Sequence, residues 1–266
     1  MRDDFTALTV PRRVADDRFA IDVPDGWQQG RGAFGGLVIA YLIRAGEAAT
    51  GGATERPLRS LTAEICGPVL VGPAELRVEI LRAGSGTTTL AVRLLQEDAV
   101  QAHAVMIFGK ARALDFPWPS SVVPVGAWRD APVSPIGAPR GPVFAQHVEY
   151  RVESGLPFSG HQGARCAGWV RMKNAGPARD AAYLAACIDA WWPSVMAQMT
   201  VPRPAATIAF SFQVAGSLDG LDLDAPFRYE ADSPALHEGY LVEMRSLRGH
   251  DGRLVALNQQ TFAIIR

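Results

Sequence analysis

Arg179 to Pro193 reads R-D-A-A-Y-L-A-A-C-I-D-A-W-W-P. Leu184, Cys187, Ile188 and Trp191 recur at helical spacing, and most residues between them are alanine. Apolar or small side chains therefore cover the whole circumference of the helix that this spacing predicts over 181–192. Asp180 is placed to cap its start and Pro193 to stop it. Asp189 is then the only charge inside the run. An ionised carboxylate in apolar surroundings is costly unless partnered, so Asp189 requires hydrogen-bond donors, a water-lined cavity or a raised pKa. Each of these suits a general base. The competing reading is a half-buried helix with Asp189 turned to solvent.

Outward from this stretch, the chain shows one order of elements twice. Residues 1–32 form a mixed-polarity lead-in with a P-D-G-W turn at 24–27. A helix over Gly35 to Thr50 is predicted to end at Gly51-Gly52. Strand patterns follow at 58–66, 74–82, 87–97 and 100–111. Residues 115–142 are dense in proline and have no period, the composition of an extended linker; Trp118 and Trp128 predict that it packs across the surface. Beyond it, strands are predicted at 149–153 and 165–172, then the Asp189 helix, then strands at 206–214, 227–231, 240–247 and 254–265. G-H-D-G-R at 249–253 joins the last two as a hairpin. A-Y-L occurs at 40–42 and 182–184, at comparable points of both helices. The expected organisation is two units, 1–114 and 146–266, joined by a linker at 115–145.

The 266 residues are 48% hydrophobic and 20% charged with a formal net charge of -1, so bulk charge points to neither a nucleic-acid nor a membrane-surface partner. The acidic start M-R-D-D-F lacks the pattern of a signal peptide and no run reaches the length of a membrane span, which predicts a cytoplasmic chain. Cys66, Cys166 and Cys187 are widely separated and are expected as reduced core residues. The histidines show no metal-ligand spacing, and no metal or cofactor is expected. G-R-G-A-F-G at 30–35 fits G-x-G-x-x-G, but D-G-W-Q-Q precedes it where a dinucleotide site needs a buried strand. The chain has no G-x-S-x-G elbow of an α/β serine hydrolase.

A long helix wrapped by a curved antiparallel sheet, given twice, is an α+β double hotdog. The residues resemble the acyl-CoA thioesterase family of the thioesterase II type. The resemblance rests on F-G-G at 34–36, R-S-L-T at 59–62, W-V-R at 169–171, the Asp189 stretch, A-A-T-I-A-F-S-F at 205–212 and D-G-R-L-V-A-L-N-Q-Q at 251–260. It implies hydrolysis of acyl-CoA to free acid and CoA by an activated water, without a covalent intermediate. It assigns the water to Asp189, Thr207 and Gln260, with adjacent Gln259 one register step away. Alternation places Thr207, Ala209, Ser211 and Gln213 on one strand face, and Ala256, Asn258, Gln260 and Phe262 together on another.

Phe34, Gly35 and Gly36, where the first helix begins, are the expected substrate-binding residues, their backbone N–H groups being candidates for the oxyanion. By the A-Y-L register Glu47 stands where the second half has Asp189, and Met106 stands where it has Gln260. One working site per chain is expected, in the second half, with Glu47 a solvated surface charge. Trp191, Trp192 and Met196 are read as core packing, with lining or plugging an acyl tunnel as the alternative. The alternative function is a protein that binds an acyl thioester without cleaving it, as carrier, sensor or scaffold. A hotdog dehydratase or hydratase is the weaker reading, for want of a histidine beside the Asp189 helix. Exposed sheet edges predict a homo-oligomer.

Overall fold

The computed structural model describes residues 4–52, 54–116, 118, 121–139 and 141–265. A short helix α1 (Phe5–Thr9), capped by the Asp4 carboxylate on the Ala7 N–H, precedes β1 (Arg12–Arg13) and β2 (Arg18–Val23). The two-residue strands β3 (Gln28–Gln29) and β4 (Gly32–Ala33) pair as a small ribbon leading into α2 (Gly35–Ala49). Then come β5 (Leu58–Ile65), β6 (Gly72–Ala83), β7 (Thr87–Gln96) and β8 (Ala99–Gly109). After the linker stand β9 (Val148–Ser154), β10 (Arg165–Met172) and α3 (Ala181–Asp189). β11 (Ala205–Val214), β12 (Phe227–His237), β13 (Tyr240–Arg248) and β14 (Leu254–Ile264) complete the chain.

Twelve strands make one antiparallel sheet in the order β1-β2-β6-β7-β8-β5-β11-β14-β13-β12-β10-β9. Its centre is the pairing of β5 with β11, where Leu61 lies opposite Phe212, so the two halves share one hydrogen-bonded ladder. α2 packs on β5 to β8, α3 packs on β10, β13 and β14, and the two helices pack on each other. Leu37, Ile39, Tyr41, Leu42 and Ile43 on α2, and Ala185 to Ile188 on α3, are fully enclosed. Gly36 permits the close crossing: a Cβ there would lie 2.9 Å from the Ala186 Cα. Among the described residues, no helix is long and apolar enough to cross a membrane.

Most predicted strands appear within two residues of their expected bounds, and the differences have physical reasons. In the lead-in, R-F-A-I-D-V buries Phe19, Ile21 and Val23 on one face and forms β2, a strand the reading of mixed polarity passed over. β12 runs on to His237 beyond the predicted 231, after a register shift between Asp232 and Ala235. α3 stops at Asp189 rather than 192. Its last carbonyls turn to side chains instead of a further helical turn: Arg245 donates to Ile188 O at 3.0 Å and the Tyr150 hydroxyl to Ala190 O at 2.8 Å. Pro193 then holds Trp192 out of the helical region.

Most of the described part of 115–142 is exposed and lies against the second half, whereas Phe144 and Ala145, read as the end of the linker, are buried in the core. Val122 bridges to Arg253, Ser134 bridges to Tyr150, and the Trp128 ring lies under the guanidinium groups of Arg129 and Arg151. Trp118 is exposed. Cys166 and Cys187 are buried free thiols, but Cys66 is exposed, because it follows the end of β5.

Candidate active site

Asp189 is the last residue of α3 and is buried, so the helix turned to solvent is excluded. Its Oδ1 accepts a hydrogen bond from Gln260 Nε2 at 2.8 Å. The same Nε2 donates to Asn258 Oδ1 at 2.9 Å, and Gln260 Oε1 accepts from the Thr207 hydroxyl at 3.0 Å. These contacts fix the amide's orientation, with nitrogen toward Asp189 and Asn258 and oxygen toward Thr207. Gln260 is completely enclosed while Gln259 points outward, which resolves the register between them. The three residues named from the resemblance thus meet from α3, β11 and β14.

Thr207 reaches this cluster through a bulge. Strict alternation puts Thr207 on the face opposite Phe210, yet the register of β11 against β14 shifts between Thr207 and Ala209. The extra residue, Ile208, turns Thr207 inward opposite Phe262, while Phe210 pairs with Gln260 and is itself buried. The expected face of Thr207, Ala209, Ser211 and Gln213 is therefore broken after its first member. Ala256, Asn258, Gln260 and Phe262 do share a buried face.

From across the helix pair comes the start of α2. A Cβ on Gly35 would fall 2.7 Å from Asp189 Oδ2, so only glycine fits there beside the carboxylate. The Gly36 backbone N–H also faces Asp189 and favours its anion. Phe34 is wholly buried and stacks on Phe144 with centroids 4.0 Å apart, so it holds the helix start in place. Trp191 packs flat on Tyr229 at 4.7 Å, as core.

Three further polar side chains complete the cluster: Asn258, which alternation places on the face of Gln260, and Glu243 and Arg245, which were not legible in advance. Arg245 Nη1 lies 3.7 Å from Asp189 Oδ1, and its Nε donates to Glu243 Oε1 at 2.6 Å. On β13 the inward positions are Leu241, Glu243, Arg245 and Leu247, while Val242 and Met244 face outward. The signal was a pair of opposite charges at i and i+2 flanked by leucines in the same phase. Burial pushes the Asp189 carboxyl up to about 6; Arg245, the Gln260 hydrogen bond and the Gly36 backbone pull it down, and Glu243 pushes it up. A carboxyl tuned toward neutrality can accept a proton from water and release it again.

Among the described residues, the first half carries no such cluster. Phe108 pairs with Leu58 and Thr88 as Phe262 pairs with Thr207 and Leu241. Through that register Leu58, Leu90, Val92, Ala104 and Met106 occupy the places of Thr207, Glu243, Arg245, Asn258 and Gln260. Glu47 remains, but it is buried, not the solvated charge expected. Arg44 on the preceding turn of its own helix holds it at 3.3 Å and holds Asp180, the cap of α3, at 2.6 Å. Burial and then Asp180 push the Glu47 carboxyl up to about 7 against the pull of Arg44. Among the described residues, no group of three or more His, Cys, Asp or Glu side chains is placed to hold a metal.

The chain matches the pattern of the acyl-CoA thioesterase N-terminal domain over residues 23–109 and that of the acyl-CoA thioesterase C-terminal domain over residues 121–264. Among curated proteins, none matches the chain. A conserved protein of unknown function with a hot dog fold from Alicyclobacillus acidocaldarius superimposes with a TM-score of 0.87 at 22% identity, over 98% of each chain. An acyl-CoA thioesterase II from Mycobacterium marinum does so with a TM-score of 0.74 at 16% identity, over 98% of each chain. The dehydratase domain of RzxB from Pseudomonas fluorescens gives 0.60 at 14% identity, over 98% of this chain and 99% of that one. At these identities the structures speak to the fold, a double hotdog, and the two domain matches speak to kinship: the chain belongs to the acyl-CoA thioesterase family.

Proposed function

We propose that the protein hydrolyses acyl-CoA thioesters to the free acid and CoA, with Asp189 as general base. The observation that carries this is the chain of hydrogen bonds from half-buried Thr207 through buried Gln260 to Asp189, ending on a carboxyl that burial pushes up to about 6. Gln260 occupies Asp189 Oδ1 and thereby directs Oδ2 toward Gly35. The Thr207 hydroxyl spends its proton on Gln260, so its lone pairs are available to a water hydrogen. A water between Oδ2 and Thr207 would lose its proton to Asp189 as its oxygen attacks the thioester carbon. The carbon–sulfur bond then breaks, and the proton passes from Asp189 to the departing thiolate.

The carbonyl oxygen gathers charge during the attack, and the N-terminus of α2 is the nearby source of oriented donors. Gly36 N–H faces Asp189 at rest. Its hold on the carboxyl slackens once Asp189 is protonated, which frees it for the oxyanion as the charge moves there. Glycine at 35 and 36 allows a thioester to approach the backbone without a side chain between.

The test is thiol release from a panel of acyl-CoAs, short to long and including aryl thioesters. Asp189→Asn keeps the shape and removes the base, and should lower kcat about 10²-fold or more with KM little changed. The wild-type kcat should fall tenfold per pH unit below about 6, the range set by the Asp189 carboxyl. Wild-type turnover in D189N would remove Asp189 from the chemistry. Binding of acyl-CoA with no turnover by either protein would instead make the chain a thioester-binding module.

A further inference from the structure

Asp189 stands at the C-terminal end of α3, where the helix dipole opposes a negative charge. A second carboxylate, Glu243, also lies in its surroundings and raises its pKa. Only a well-placed cation makes such an arrangement tenable in a buried site. We infer that Arg245, anchored by Glu243, is the positioning residue that keeps the Asp189 carboxylate aimed and ionisable. The inference rests on the thioesterase reading for its kinetic readout alone.

Arg245 is fully enclosed; the Nη1 and Nε of its guanidinium have different partners, and Nη2 is buried with none among the described residues. Nη1 donates to Ile188 O at 3.0 Å, capping the end of α3, and the same nitrogen faces Asp189 Oδ1 at 3.7 Å. Nε donates to Glu243 Oε1 at 2.6 Å. Glu243 Oε2 is in turn held by the Ser194 N–H at 2.5 Å, the Ser194 hydroxyl at 2.7 Å and the Ser233 hydroxyl at 2.9 Å. The anchor is thus fixed from the segment after α3 and from β12 as well as from β13. The Phe262 ring lies 5.2 Å and the Tyr229 ring 5.9 Å from the guanidinium carbon, so two aromatic rings flank it. This combination needs a planar fork; a lysine ammonium can supply the charge but not the divergent donors.

The groups that face Asp189 are Arg245 and Glu243 from β13, Gln260 from β14, the Gly36 backbone from α2, Tyr150 from β9 and Tyr229 from β12. Two of these carry opposite charges, so their removal should move Asp189 in opposite directions. Glu243→Gln keeps the shape of the anchor and deletes its negative charge, leaving Arg245 to favour the Asp189 anion. Arg245→Met deletes the cation and leaves Glu243 to oppose that anion.

The experiment follows the Asp189 carboxylate band by infrared titration, identified as the difference between each protein and its D189N counterpart, alongside the acid limb of kcat against pH. The apparent pKa should move down in E243Q and up in R245M, each by about one unit or more. Arg245→Lys should leave the limb close to the wild-type position while lowering kcat, because charge is kept and orientation is lost. Shifts of one sign in both variants, or none, would overturn the assignment, since general damage has no reason to change sign. Should R245M fail to give a cooperative melt, the direction of the E243Q shift decides. Were wild type to cleave no thioester in the panel, the infrared titration would still report that direction, so the two readings fail separately.

Discussion

At the scale of the residue, Asp189 is held in a place that weakens the fold. Its carboxyl rises from 3.8 to about 6 on burial, so the native chain binds this proton more tightly than the unfolded chain does. The stability linked to that proton is fully present below about pH 4, falls as the pH climbs toward 6, and is absent above; the loss is about 3 kcal/mol. Asp189→Asn should therefore melt several degrees above wild type at pH 8 and level with it at pH 4, as calorimetry would show, while turnover is lost. A melting point unchanged at both pH values would mean that the carboxyl is not raised. Asp189 was legible because one charge in an apolar helix needs an explanation. Thr207 and Gln260 were legible through the family's motifs. Glu243 and Arg245 were not, because in Y-L-V-E-M-R-S-L-R the valine and methionine face solvent and the charges face the core, an inversion set by partners distant in sequence.

Among the elements, the two helices show how like beginnings reach different ends. α2 closes with Thr50 N–H on Glu47 O and Gly46 O, with Gly52 in the left-handed region, and its carboxylate is absorbed by Arg44. α3 closes on Arg245 and Tyr150, and its carboxylate is left facing the other helix. Glu47→Gln should accordingly leave kcat within about twofold of wild type while raising the melting temperature at pH 8 but not at pH 4, since the Glu47 carboxyl is also raised, to about 7. A loss of turnover in E47Q matching that in D189N would refute a single working site per chain. Glu47 looked solvated because helix periodicity describes a helix on one surface; α2 is enclosed by the sheet and by α3 together, so nearly every face is interior. The bulges were beyond reach for a related reason. β5 shifts register against β8 between Leu58 and Ser60 as β11 does against β14 between Thr207 and Ala209, each beside the β5–β11 ladder. Alternation is a property of one strand, whereas these bends belong to the junction of two.

For the molecule as a whole, the order of elements was readable because strand alternation, helix length and punctuating glycines agree along most of the chain. Which strands meet at the middle was not, since β5 and β11 are separated by well over a hundred residues and their pairing is decided by both halves at once. That pairing makes each half the cover for the other's open strand and for the other's helix. Around residue 126 the linker is exposed and its bridges are to the second half; Gly126 has open space where a side chain would begin. A protease site inserted at 126 and then cut should yield two fragments that elute together under native conditions and retain thioester turnover, whereas either fragment made alone should aggregate. Separation of the cut fragments on native chromatography would show that the shared ladder does not carry the association. Regarded from the β5–β11 seam, the two halves are laid out as the subunits of a dimer joined by a tether, and severing the tether should alter the entropy of assembly without altering what is assembled.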